Sequence, residues 1–237
     1  MKIPLSPRLA ACCQFVFPGD RVADIGTDHG YLGIWLLHKG IAKSVIAADI
    51  APGPLTAAKQ NAAKYDCLNS MEFYLSDGVS AVPKDFDTMV CAGMGADTMI
   101  SILSAAPWLK HQKYKLVLQC QSKTHLLRRF LSENGWHINR EVLLRDGKFL
   151  YTVMEVLFRS EPALTPGEWY LSPALLKSSA PELVEYYQRI VGGLRLYVSG
   201  HGDSVPQEQL AALQQLESDP KLQWLKENIH DNSERYS

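Results

Sequence analysis

The 237-residue sequence predicts an α/β fold with a mostly parallel, doubly wound sheet, and three observations carry that prediction. Short apolar, β-rich runs alternate with helical stretches from Arg21 to Arg159. Each run ends in Gly, Asp or another polar residue, as strands opening onto loops do. The alternation then gives way to two strands joined at Asp146-Gly147, a hairpin signal that closes the sheet.

The strands are read in order as "RVADIG" (21–26), "SVIAADI" (44–50), "MEFYLSD" (71–77), "DTMVCAG" (87–93) and "KLVLQCQ" (115–121). Such near-continuous apolar runs suit parallel strands covered on both faces. Helices are expected at 31–39, 53–65, 97–106 and 124–134. The last, "LLRRFLSENG", has amphipathic spacing and a terminal Gly135 as its stop. "HINREVLLRDGKFLYTVMEVLFR" supplies the hairpin, an ending typical of the Rossmann-like class I methyltransferase fold. Dehydrogenases more often close on another βαβ unit.

After Arg159, "SEPALTPGEWYLSP" reads as a Pro-rich linker. Two helices are expected beyond it, over "APELVEYYQRIVGGLRLYVS" and "PQEQLAALQQLESDPKLQWLKENI", joined by "GHGDS" into an antiparallel, coiled-coil-like hairpin. Leu183, Tyr186, Tyr187, Ile190, Leu194 and Tyr197 share one face of the first. Leu210, Leu213, Leu216 and Trp224 share one face of the second. Gly192-Gly193 sits inside the first helix at a cost in stability. The expected division is residues 1–160 as the cofactor-binding α/β domain and 161–237 as a helical region.

Composition narrows the function. Five cysteines show no CxxC pair and no matching histidine spacing, so neither metal nor disulfides are expected. No stretch approaches twenty apolar residues, and a cytoplasmic protein without membrane contact is expected. The net charge is −1, yet residues 108–159 hold ten Lys/Arg against four acids, while 160–237 hold six against eleven. A basic face on a neutral protein is compatible with a polyanionic partner, and equally with an ordinary solvated surface.

The first strand runs into "DIGTDHGYLG", where Gly26, Gly30 and Gly33 are spaced GxxxGxxG rather than the dinucleotide GxGxxG. The spacing fits a D-x-G-x-G-x-G loop of the kind that receives S-adenosylmethionine, with Asp28 in place of the middle glycine. Asp24 would then face the ligand's amine. Asp49, 25 residues on, ends the second strand where an acid accepts from ribose hydroxyls, with Ile50 beside it. Asp77 and Gly78 end the third strand, where an adenine amino group is held. Ala92, Gly93 and Met94 end the fourth with small residues at the crevice floor. Each acid could instead cap a helix or begin a turn; together they mark one carboxyl edge.

These motifs, with "LSPRL" (5–9), "VADIGTDHGYL" (22–32), "AGMG" (92–95), "LVLQ" (116–119), "RRFLSENGW" (128–136) and "RDGKFLY" (145–151), closely resemble the bacterial tRNA (adenine(22)-N1)-methyltransferase family. The resemblance departs at Ala96, where a further glycine is common, at Cys120, where proline is frequent, and at Thr152, where an acid is expected. It implies S-adenosylmethionine as cofactor and tRNA as substrate, with a monomer expected. Asp28 and His29 become the catalytic candidates, set against a structural or cofactor-binding role. Arg8, Lys123, Arg128 and Arg129 become the candidates for phosphate contacts. Two other readings stand beside it: a methyltransferase acting on a small molecule or protein, and a non-catalytic cofactor-binding adaptor.

Overall fold

The computed structural model describes residues 3–227. Seven strands form one sheet in the order β3-β2-β1-β4-β5-β7-β6. They are β1 (Arg21–Ile25), β2 (Ser44–Asp49), β3 (Met71–Leu75), β4 (Thr88–Met94), β5 (Lys115–Cys120), β6 (Trp136–Asp146) and β7 (Phe149–Phe158). The first five are mutually parallel; β7 enters antiparallel between β5 and β6, pairing Cys120 with Thr152 and Asp146 with Phe149. The predicted hairpin is thus in place and closes the sheet at Gly147, whose φ is +60°.

Alternate residues of each parallel strand enter two separate cores, which is why the strands read as unbroken apolar runs. Val22, Val45 and Ala47 pack with helices α1 (Pro7–Cys13), α2 (Tyr31–His38) and α3 (Pro52–Lys64). Ala23, Ile25, Ile46 and Ala48 pack with α4 (Ala96–Ala105) and α5 (Thr124–Glu133). All five cysteines are free and buried in these layers. The edge strand β6 is flanked by α1 and by α7 (Pro173–Leu176), which pack against it.

The stretch expected as a linker is irregular as far as Thr165 and folded beyond it. Thr165 and Glu168 form a capping box that starts α6 (Pro166–Tyr170), and the Ser172 hydroxyl accepts from the Leu175 amide at 3.0 Å to start α7. Proline follows each cap, and its fixed φ begins a helix as readily as it ends one. Two longer helices follow, α8 (Leu183–His201) and α9 (Gln207–Ser218). The second predicted helix breaks at Asp219, held extended by Pro220, and resumes as α10 (Gln223–Glu227); its expected last residues, 228–229, lie outside the described ones.

A third core joins this helical part to the sheet. Leu183, Tyr187, Val191 and Leu194 of α8 meet Leu213 and Leu216 of α9, with Leu143 of β6 beneath. The seam is narrower than the predicted apolar face. Tyr186 and Ile190 are only half-buried, and Tyr197, Leu210 and Trp224 are exposed.

Between sheet and helices lies one buried ion pair. The Arg128 guanidinium meets Glu141 at 2.7 Å and donates to the carbonyls of Trp169 (2.9 Å) and Tyr170 (3.0 Å) and to the Tyr186 hydroxyl (3.3 Å). Ser172 donates to the same carboxylate at 2.5 Å. Burial alone would discharge Arg128, but Glu141 and Tyr186 outweigh it and hold the group firmly cationic.

Candidate active site

Parallel topology brings the ends of β1 to β4 onto one edge, and Gly26, Asp28, Gly30, Gly78 and Gly93 all take left-handed conformations there. Gly26, Asp28 and Gly30 have φ of +75°, +51° and +73°, turning the chain sharply from β1 into α2. A side chain at Gly26 is disfavoured by its φ of +75°, and its Cβ would also displace the flexible Met94 methyl of β4, 2.3 Å away. Asp28, a residue that tolerates the left-handed region, takes the strained central position and leaves its side chain in solvent.

Three amides of this turn are already used. Those of Gly26 and Thr27 donate to the Ala48 carbonyl at 2.8 and 3.0 Å, and that of Gly30 to the Thr27 carbonyl at 2.9 Å. A phosphate-binding loop keeps such amides for its ligand. Moreover, segments 24–30, 49–51, 75–79 and 92–96 together contain four aspartates, Asp24, Asp28, Asp49 and Asp77, and no lysine or arginine. This edge favours a cation and repels a pyrophosphate.

Asp24 is buried, with Thr27 donating to it at 2.7 Å. Its pKa is pushed up to about 6 by burial, partly offset by the Thr27 hydroxyl, with further upward pressure from Asp49 and Asp28. Asp49 accepts from the Ala51 amide at 2.9 Å through one oxygen, while the other lies 3.5 Å from the Asp28 amide. The β2 and β3 ends then carry bare apolar surface: Ile50 is 67% exposed and Leu75 58% exposed. Asp77 is exposed and Gly78 half-buried, in a loop shaped by Ser76, whose hydroxyl donates to the Gly78 carbonyl at 3.0 Å.

At the β4 end the register with β5 shifts between Ala92 and Met94, and Gly93, φ +83°, leaves the ladder. Its amide is caught by the buried Gln119 side chain at 3.0 Å. Gln119 and Thr27 are site-shaping residues that the sequence reading did not single out. A polar residue ending the apolar run "LVLQ" was the available signal for Gln119. His29 and Asp28 stand side by side, Nε2 to Oδ1 3.6 Å, both exposed; Asn61 donates to the His29 carbonyl at 2.9 Å and fixes that peptide.

Of the four basic candidates, Arg128 is corrected. Its side chain is 1% exposed and wholly engaged with Glu141, so it cannot reach a phosphate. Arg8 is paired with Asp146 at 2.9 Å, Arg129 with Glu133 and Glu208, and the exposed Lys123 with Asp97 at 2.8 Å. Among the described residues there is no group of three metal-ligating side chains, and no helix is long and apolar enough to cross a membrane.

A seven-stranded sheet in this order, with an acidic carboxyl edge and a final antiparallel hairpin, defines a class I methyltransferase. A methyltransferase-domain family matches residues 5–154. The chain belongs to that family and, within it, with the tRNA methyltransferases. A Mycoplasma pneumoniae protein provisionally named a tRNA methyltransferase is 34% identical over 71% of this chain and 79% of its own. The Bacillus subtilis tRNA (adenine(22)-N(1))-methyltransferase is 29% identical over 65% of both. A Streptococcus pneumoniae structure, provisionally a tRNA (m1A22) methyltransferase in complex with S-adenosyl-L-methionine, superposes with a TM-score of 0.79 at 25% identity, covering 90% of this chain and 98% of that one.

Proposed function

We propose that this protein methylates N1 of an adenosine in tRNA, at the position numbered 22 in the activity of its Bacillus relative, using S-adenosylmethionine. The observation that carries the reading is the carboxyl edge with four aspartates and no cation. When bound, the cofactor supplies an electrophilic methyl on a sulfonium. The residues present suit it: Asp24 for the amine, Asp49 for the ribose hydroxyls, and Ile50 and Leu75 as the bare surfaces flanking a purine, with Asp77 and Gly78 at its amino edge.

N1 of adenine carries an in-plane lone pair, so a nucleophile need not be generated, and alignment supplies most of the rate. Ala92, Gly93 and Met94 keep the crevice floor low where base and methyl must meet. Methylation leaves a positive charge on the base, and Asp28 and His29, exposed at the turn, provide acceptors for that charge and for the amino proton it acidifies. The target base must leave its stack to reach this edge.

The test is incubation with labelled S-adenosylmethionine and unmodified tRNA, followed by digestion to locate the product. Asp28→Ala should lower turnover by about 100-fold or more, the scale of a lost acid–base or charge-stabilising group. Cofactor binding, read by calorimetry, should persist. Unchanged turnover in that variant would remove Asp28 from catalysis, and methylation of only non-RNA substrates would overturn the RNA reading.

A further inference from the structure

The aromatic stripe of α8 that the third core leaves uncovered faces a second cavity, outside the methyl-transfer edge. An open cleft of about 490 Å³ runs between the start of α5 and the outer face of α8. That volume lies within the roughly 300–1,000 Å³ typical of small-ligand sites. Its walls carry His125, Tyr170, Tyr186 and Tyr197, and its charged lining residues, Lys123, Arg128 and Arg189, are all basic. Their carboxylate partners, Asp97, Glu141 and Glu185, do not line it. Glu185 is shared between Arg189 and Arg145.

Two further features point to a ligand. His125 and Tyr170 are already stacked, ring centroids 4.5 Å apart and planes 8° from parallel, and burial together with Arg128 and Lys123 keeps the imidazole pKa below its usual value. The Gln209 side-chain oxygen, buried at the cleft wall, has no donor. Gly193 also lines the cleft, and a Cβ there would meet nothing within 4 Å. A mid-helix glycine costs about 1 kcal/mol relative to alanine. Here no packing contact requires it, and a side chain at this position would project into the open cleft.

Resting on the RNA reading above, we infer that this cleft holds one unstacked nucleoside of the tRNA strand that carries the target adenosine. Its base lies among His125, Tyr170 and Tyr197, and its phosphate lies on Lys123 and Arg189. Lys123 and Thr124 lie within four residues of the end of β5, so the cleft adjoins the edge where the target base is received. Stacking on aromatic side chains and cations tracking the backbone are the general means of holding single-stranded nucleic acid.

The test compares Gly193→Leu, which fills the cleft, with Gly192→Leu, which projects onto the other face beside Tyr187 and Arg195. Both exchange glycine for a better helix former, and neither Cβ meets a neighbour. Kd for an unmodified tRNA transcript is read by fluorescence anisotropy, with KM for tRNA and KM for S-adenosylmethionine measured separately. Gly193→Leu should raise Kd and KM for tRNA about tenfold or more and leave the cofactor KM unchanged, while Gly192→Leu stays within about twofold. Equal tRNA affinity in the two variants overturns the cleft assignment while leaving the methyltransferase reading intact. A wild-type protein that binds cofactor but no tRNA overturns both. Should Gly193→Leu fail to fold, Tyr197→Ala decides by the same readout, a weakened tRNA Kd supporting the assignment and an unchanged one overturning it.

Discussion

At Asp24, ionisation opposes folding. The group is buried beside one hydroxyl donor, and its pKa rises from 3.8 to about 6. Below pH 4 it is protonated in both folded and unfolded chains. Between about 4 and 6 the unfolded chain gives up its proton first, so stability falls as pH rises, by on the order of 3 kcal/mol, and levels off above 6. Asp24→Asn should flatten that slope, measured by urea unfolding at pH 4.5 and 7.5, and should abolish cofactor binding. In the wild-type protein a cationic amine placed beside Asp24 favours the carboxylate. Calorimetry at pH 6 in buffers of different ionisation enthalpy should therefore show proton release on S-adenosylmethionine binding, and the release should vanish by pH 8. The residue types at this edge are legible in sequence because strand ends bear them at fixed places. Burial is not: nothing in "VADIG" distinguishes the 4% exposed Asp24 from the exposed Asp28 four residues later.

Among the elements, the sheet strands and helices α2 to α5 are readable from periodicity and stops, because both their faces are dictated by the cores they enter. Helices α6 and α7 are not, since their helical signal is a cap followed by proline, and the same letters also punctuate loops. The side chain of Arg128 was misassigned for a related reason. Within "LLRRFL" both arginines look solvent-facing, yet Arg128 falls on the buried face because Glu141, thirteen residues away on β6, waits to receive it. Removing one partner leaves a buried charge alone, so Arg128→Met should cost about 3–5 kcal/mol in urea unfolding. Adding Glu141→Gln should recover part of the loss. Arg129→Met, whose partners are half-exposed, should change stability by under about 1 kcal/mol.

Across the whole molecule, charge is divided: an acidic edge for the cofactor lies next to a basic segment, residues 108–159, with ten cations against four acids. In the proposed function that separation would attract a sulfonium and a polyanion to neighbouring surfaces. Cofactor affinity should change little between 50 and 200 mM salt, whereas tRNA affinity should fall roughly linearly on logarithmic axes, with a slope set by the number of phosphate contacts. A flat response, read by anisotropy over that range, would remove the phosphate contacts. The cleft along α8 could not be read from the sequence, because its walls come from α5, α6, α8 and α9, and only their packing leaves the tyrosines uncovered.

The sheet order also has a consequence for the nascent chain. Strand β7 lies between β5 and β6, so β5 keeps an unpaired edge until residues 149–158 have been synthesised. All six residues of β5 are buried in the finished sheet, which makes that bare edge a hazard for wrong pairing while the chain is still short. The tight turn at Gly147-Lys148 shortens the exposure, because a local hairpin forms within microseconds of its second strand becoming available. Ribosome-arrested chains ending near residue 122 should thus depend on chaperones, and those extended past 160 should be released from that need.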